Sequence, residues 1–159
     1  MTWPEPVERV ARVLRGAATD SRIEQFTDGA ATARDAARVI GCDLSQIVKS
    51  LVFVCDGAYV LALVPGDRRA DEAAIAEAVS ASEVRVAKPA EVLHATGFEP
   101  GAVAPFPRRA VTEILMDTSF FAHEVVWVGA GSESHMASLR PAELAKLAGA
   151  RSFDLTSRG

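Results

Sequence analysis

Lysine is scarce in this chain: Lys49, Lys88 and Lys146 are three of 17 basic residues in a sequence of 159. Surface charge is otherwise supplied by arginine. An ammonium is a compact point charge with three donors, and a planar guanidinium is not its equivalent against a phosphate or a polarised carbonyl. Cysteine is scarcer still. Cys42 and Cys55 make neither a disulfide scaffold nor a metal site, since no second pair of thiols or imidazoles stands at ligand spacing. They read as two reduced, packed thiols. His94, His123 and His135 are never four residues apart, which excludes a metal pair on one helix face. No Gly-x-Ser-x-Gly elbow, Walker loop, dinucleotide fingerprint or zinc-protease helix occurs. Neither a metal nor a cofactor is expected.

Long apolar runs are also missing, so no membrane-spanning helix is expected. Met1-Thr2-Trp3-Pro4-Glu5-Pro6 lacks the basic-then-apolar pattern of a secretory signal. A cytoplasmic protein without a membrane partner is the expectation. The net charge of −4 argues against a general nucleic-acid coat. It leaves room for local basic groups, of which Arg68-Arg69, Lys88 and Arg108-Arg109 are candidates. A hydrophobic content of 49% over 159 residues is enough for one domain with a sizeable core. A monomer or weak dimer is expected.

The patterning predicts interspersed helices and strands. Val7, Val10, Ala11 and Leu14 stand at helical spacing in a first helix of about residues 6–16. Arg22 to Phe26 alternates as a short strand. Thr32 caps a helix that runs to Ile40 and closes at Gly41. A helical turn starting at Asp43 or Ser45 is expected to end near Lys49. Leu51 to Cys55 and Tyr59 to Val64 read as a hairpin turned at Asp56-Gly57. Asp71 caps a helix over Glu72 to Val79, Val84 to Ala87 is a short strand, and a further helix begins at Pro89. Residues 97–107 hold two glycines and three prolines in an apolar context, which predicts a shaped loop with fixed dihedrals at Gly101 and Pro105. Val111 to Met116, Val125 to Val128 and Met136 to Leu139 are strands, the second followed by a Gly129-Ala130-Gly131 turn. A helix covers Pro141 to Leu147, and residues 151–159 form a short frayed tail. The expected fold is mixed α/β, a single domain over residues 1–159 with a curved mixed sheet surrounded by helices.

Lys49 has two readings. It is a phosphate- or carbonyl-binding cation at the mouth of a buried strand, or a solvated lysine at the negative end of a helical turn. His94 and His123 read as structural. His135, between a glycine-rich turn and a strand, is open to a functional or a structural role. Asp117 reads as a turn cap after its strand, with a substrate-amine contact as the alternative.

Three stretches occur in a telling order: Gln46-Ile47-Val48-Lys49-Ser50-Leu51-Val52-Phe53, Leu61-Ala62-Leu63-Val64-Pro65-Gly66-Asp67, and Thr96-Gly97-Phe98-Glu99-Pro100-Gly101-Ala102-Val103-Ala104-Pro105-Phe106. Asp117 after one apolar strand and Gly129-Ala130-Gly131 after another complete the set. Over about residues 20–150 the chain resembles the YbaK-like aminoacyl-tRNA deacylases, free-standing relatives of the editing insertion in bacterial prolyl-tRNA synthetase. The resemblance implies hydrolysis of the ester joining a wrong amino acid to transfer RNA, typically the proline acceptor. It makes Lys49 the signature lysine, positioning the terminal phosphate or the ester, and Gly101, in its Gly-x-x-x-Pro loop with Pro105, the functional glycine. Gly129 falls in the glycine turn beside the substrate, and His135 resembles a histidine of the synthetase branch. The turn Gly129-Ala130-Gly131-Ser132-Glu133-Ser134 departs from the family's usual residues there. Phe53, Phe98 and Phe106 are candidate walls of the amino-acid pocket, with ordinary core packing as the alternative. The implied partners are the acceptor end of mischarged transfer RNA and prolyl-tRNA synthetase. A non-catalytic module that binds transfer RNA or a free amino acid is the alternative function.

Overall fold

The computed structural model describes residues 3–27 and 32–156. Its elements, in order, are α1 (Glu5–Gly16), β1 (Ile23–Gln25), α2 (Ala33–Ile40), β2 (Val48–Cys55), β3 (Ala58–Pro65), α3 (Glu72–Val79), β4 (Val84–Val86), α4 (Pro89–Thr96), β5 (Val111–Asp117), β6 (Val126–Ser132), β7 (His135–Leu139), α5 (Pro141–Ala148) and β8 (Ala150–Phe153). Two 3-10 turns, Leu44–Gln46 and Thr118–Ala122, precede β2 and follow β5. The fold is mixed α/β, as the patterning predicts.

The strands divide into two sheets. β4-β2-β3-β5-β8 is five-stranded, and β1-β7-β6 is three-stranded. The halves stay joined by an isolated parallel bridge between Ile47 and Trp127. β3 pairs antiparallel with β2 and parallel with β5. It is covered on both faces, which is why Val60 to Val64 reads as an unbroken apolar run. Leu61 and Leu63 enter the main core with Phe98, Phe106, Ile114 and Met116. Val60, Ala62 and Val64 turn to the other face, where Ile75, Leu115 and Leu155 close a second core.

Local chemistry explains the helix limits. The Thr32 hydroxyl accepts from the Asp35 N–H, and Gly41 ends α2 at φ 80°. Asp71 accepts from the Ala73 N–H at the start of α3. The β2–β3 hairpin turns at Asp56 (φ 49°) and Gly57 (φ 84°), the left-handed pair that a two-residue turn requires.

Three local expectations are corrected. Lys49 does not end a helical turn; it is the second residue of β2, opposite Val64. The short hairpin turn gives every residue from Ala58 to Pro65 a partner, and the ladder therefore runs back to Val48. Gly129, Ala130 and Gly131 lie within β6, and the chain reverses two residues later, between Ser132 and His135. A register shift between Gly129 and Ser132 absorbs the extra residues. Residues 150–153 are not frayed, because they add β8 in parallel to Ile114–Asp117. Leu155 is buried and Thr156 bridges Ala70, while residues 157–159 of the expected tail lie outside the described residues.

Candidate functional site

The expected shaped loop, residues 97–107, passes in front of the sheet junction. Gly101 takes φ 86°, a conformation that strains any residue with a Cβ. β6 approaches this loop so closely that a Cβ on Gly129 would stand 2.8 Å from the Val103 carbonyl oxygen. The two glycines therefore have different reasons: Gly101 for its dihedral, Gly129 for its neighbour.

β2 forms the opposite wall. β4 pairs only with Phe53, Val54 and Cys55, so the edge of β2 from Val48 to Leu51 has no neighbouring strand from that sheet. The Val52 carbonyl accepts from the Ala87 N–H. By the two-residue alternation of an antiparallel ladder, the N–H and C=O of Ser50 point to the same, open side. A cavity of about 370 Å³ fills this gap, lined by Lys49 and Ser50 on one wall and Gly101, Val103 and Gly129 on the other. Ala36, Ile47 and Met136 supply apolar lining from α2, the chain before β2, and β7.

Two groups in the cavity are held at an energetic cost. The Lys49 ammonium is half-buried and donates to the Arg68 carbonyl at 2.6 Å. Burial lowers its pKa from the usual 10.5, the Asp67 charge works against that shift, and Arg69 adds to it. Two of the three ammonium donors remain for a ligand. The Ser50 hydroxyl is buried with no hydrogen-bond partner, alone in this among the side-chain polar atoms of the described residues. An unsatisfied buried hydroxyl costs about 1–3 kcal/mol, a cost that a bound polar group would relieve.

The remaining candidates from the sequence are placed elsewhere. Phe53 shares the Lys49 face of β2 but lies where β4 covers the strand, and it packs with Val60, Ile75 and Leu155 in the second core. Phe98 lies under the Arg9 guanidinium, 4.7 Å from its ring centre, while Arg9 donates to the Gly97 carbonyl at 2.7 Å. Phe106 and Pro105 are buried outside the cavity lining. Asp117 is 1% exposed and accepts from the Leu155 N–H (2.8 Å), the Ser119 N–H (3.2 Å) and the Ser119 hydroxyl. These bonds tie β5 to the segment after β8. His135 alternates with Met136 on β7 and so leaves the cavity to its neighbour. It is 3% exposed, sits edge-on to Trp3, and its Nδ1 lies 2.5 Å from the Ser132 hydroxyl. Burial lowers its pKa. His94 is exposed beside Tyr59.

Lys49, Gly101 and Gly129 are thus brought together, and the three phenylalanines, Pro105, Asp117 and His135 are not. Sequence reasoning did not single out Ser50 or Met136. Ser50 stood next to Lys49, but nothing in a linear string marks a hydroxyl as unpartnered. Among the described residues, no group of three or more His, Cys, Asp or Glu is placed to hold a metal. No described helix is long and apolar enough to cross a membrane.

Residues 27–147 match the model of the aminoacyl-tRNA editing domain. The chain is 33% identical over 128 residues to the uncharacterised protein YwhH of Bacillus subtilis, covering 80% of this chain and 81% of that one. It is 33% identical over 112 residues to the proline–tRNA ligase of Bacillus pumilus, 70% of this chain but 20% of the ligase. The chain thus matches about a fifth of that enzyme. Among solved structures, a candidate trans-editing enzyme for prolyl-tRNA synthetase superposes with a TM-score of 0.91 at 30% identity, covering 99% of this chain and all of the other. The matched span includes both walls of the cavity, from Lys49 to Gly129, and the chain belongs to the aminoacyl-tRNA editing domain family.

Proposed function

We propose that this protein is a trans-editing deacylase that hydrolyses the ester of mischarged transfer RNA. The acceptor is the proline transfer RNA, and the amino acid removed is small and non-cognate: alanine, cysteine or 2-aminobutyrate. The observation that carries this reading is the open edge of β2, where Lys49, Ser50 and Gly101 line one cavity.

Among the described residues, the cavity lining has a lysine and hydroxyls but no carboxylate, imidazole or thiol. These residues offer no strong general base near neutral pH, and an aminoacyl ester needs none of great strength. Lys49 holds the terminal phosphate or the ester oxygen with its free donors. Water attacks the carbonyl carbon and passes a proton to the neighbouring ribose hydroxyl of the substrate as that hydroxyl passes its own to the departing ester oxygen. The negative charge formed on the carbonyl oxygen is met by main-chain N–H groups of the Gly101 loop. The Ala102 N–H is already committed to the Glu99 carbonyl at 2.9 Å, which leaves Gly101 and Val103 as the donors on that wall. The ester C–O bond breaks, and a free amino acid leaves. Ser50 offers its unpartnered hydroxyl to the polar head of the aminoacyl group.

Selectivity is steric. One methylene changes binding by about 1–3 kcal/mol, too little for a synthetase to reject every smaller analogue, so a second site admits what the first lets through. The apolar lining from Ala36, Ile47 and Met136 bounds the side chain that fits. The reaction takes place in the cytoplasm, where charged transfer RNA is used, with prolyl-tRNA synthetase as the enzyme whose errors are corrected.

The test is a deacylation panel. Proline-acceptor RNA charged separately with alanine, cysteine, 2-aminobutyrate, serine and proline is incubated with wild-type protein and Lys49→Ala. Hydrolysis of a wrong ester that spares proline and is lost in the variant is the expected result. If every ester survives high protein concentration, the reading fails. RNA binding without turnover would then point to a non-catalytic module.

A further inference from the structure

The rim of the cavity is electrically lopsided. On one side, α2 and the loop after β3 are in direct contact: a Cβ on Gly66 would stand 2.9 Å from the Cβ of Ala33. Residues 33–38 and 66–69 carry Arg34, Arg38, Arg68 and Arg69 against Asp35 and Asp67, and Lys49 adds a fifth cation between them. All four arginines are exposed. Arg38 lies 3.7 Å from Asp35, and Arg68 reaches the Thr156 hydroxyl at 3.4 Å. On the other side, Glu99 and Glu133 flank Gly101. The Glu133 Oε1 is 3.4 Å from where a Gly101 Cβ would be. Both glutamates are exposed. In a chain of net charge −4, the α2 side is a local reversal of sign, and a polyanion entering the cavity meets attraction on one rim and repulsion on the other.

We propose that the RNA backbone reaches the cavity across α2 and the loop after β3, with Arg34 and Arg69 each holding a phosphate, and that it does not pass the Glu99–Glu133 rim. This rests on the deacylase reading of the same cavity and gives it a direction of approach. Phosphate contacts set orientation on the nucleic acid without reading its sequence. The two arginines therefore position any acceptor stem, and the cavity selects the amino acid.

The experiment measures binding of uncharged proline-acceptor RNA across a salt series for wild type, Arg34→Gln/Arg69→Gln, and Arg12→Gln. Arg12 is exposed on α1, which packs against the three-stranded sheet on the His135 side, and serves as the control. Each lost phosphate contact removes roughly 0.7–0.9 from the slope of log affinity against log salt, so the double variant's slope shrinks by about 1.4–1.8. Its affinity falls at every salt concentration, its melting temperature stays at the wild-type value, and Arg12→Gln binds as wild type. Hydrolysis of 3′-alanyl-adenosine, which lacks the stem, is measured alongside in wild type and Arg12→Gln and is the same in the two. A wild-type slope in the double variant overturns the proposal, as does wild-type protein that binds RNA with no salt dependence. Either result can coexist with hydrolysis of alanyl-adenosine. Failure of wild type to hydrolyse the alanyl, cysteinyl and 2-aminobutyryl esters of adenosine alike sinks the deacylase reading itself.

Discussion

Replacing Gly129 by alanine adds one methyl group at the place where β6 meets the cavity loop. That methyl would lie 2.8 Å from the Val103 carbonyl oxygen, and relief to an ordinary 3.4 Å contact requires a displacement of about 0.6 Å. The obstructing atom belongs to the main chain, so no side-chain rotation relieves it. β6 is held by its pairing with β7 and by α1, where Gly131 has no room for a side chain against the Pro6 carbonyl. The loop between Gly101 and Val103 is therefore the part that moves. Overpacking of this kind costs about 1–3 kcal/mol, or about 2–4 °C in melting temperature per kcal/mol for a chain of this size. The catalytic effect is larger in proportion, because misplacing reacting groups by about 1 Å can cost on the order of 100-fold. The expected outcome is a 10- to 100-fold fall in single-turnover deacylation with the protein still folded at 25 °C. Gly101→Ala is the contrast. Its Cβ meets Glu133 at an acceptable 3.4 Å, and its cost comes from φ 86°. Full activity in Gly129→Ala, with an unchanged melting temperature, would refute the idea that the Gly101 loop is held in place by contact with β6.

Three further outcomes are expected. Burial lowers the Lys49 pKa, so the fold disfavours its charged form at every pH below the folded pKa, and that penalty fades as pH rises to the ordinary 10.5. Lys49→Met at pH 7 should therefore lose deacylation without losing thermal stability, Lys49→Arg should not restore activity, and the wild-type rate above background should decline at a lower pH than an exposed lysine would dictate. Ser50→Ala removes a buried hydroxyl that has no partner; its melting temperature should match or exceed wild type while kcat/KM falls, and a loss of both would mean that the hydroxyl is structural. His135 has a folded pKa below 6.5, so its stabilising neutral form is complete above that value and is lost as pH falls through the folded pKa. Stability measured by urea unfolding between pH 7 and pH 5 should fall with a slope of at most about 1.4 kcal/mol per pH unit from this group, and His135→Gln should flatten the curve without abolishing deacylation at pH 7.

Much of the frame was legible in the chain because its signals are local. A Thr32 cap, a Gly41 stop, an Asp56-Gly57 turn and helical spacing from Val7 to Leu14 act through neighbouring residues, and each appears where the pattern predicts it. The family was also legible, since an ordered set of short motifs survives without coordinates. Where a strand begins was less so: Val48 to Ser50 joined β2 because β3 was long enough to pair with them, and the last residues formed β8 because β5 left an edge to pair with.

The site itself divides the same way. The family resemblance, carried by short motifs in order, was enough to single out Lys49, Gly101 and Gly129 as candidates, and the fold brings these three to one cavity. Tertiary structure decided which of the other candidates stand beside them. Lys49 and Phe53 share one face of β2, yet β4 covers the strand at Phe53, which packs into the second core, and leaves the edge open at Lys49 and Ser50. His135 and Met136 are separated by the alternation of side chains along β7. Whether a hydroxyl has a partner, whether a strand edge is covered and which rim carries the charge all depend on residues far apart in the chain, and only folding brings those residues together.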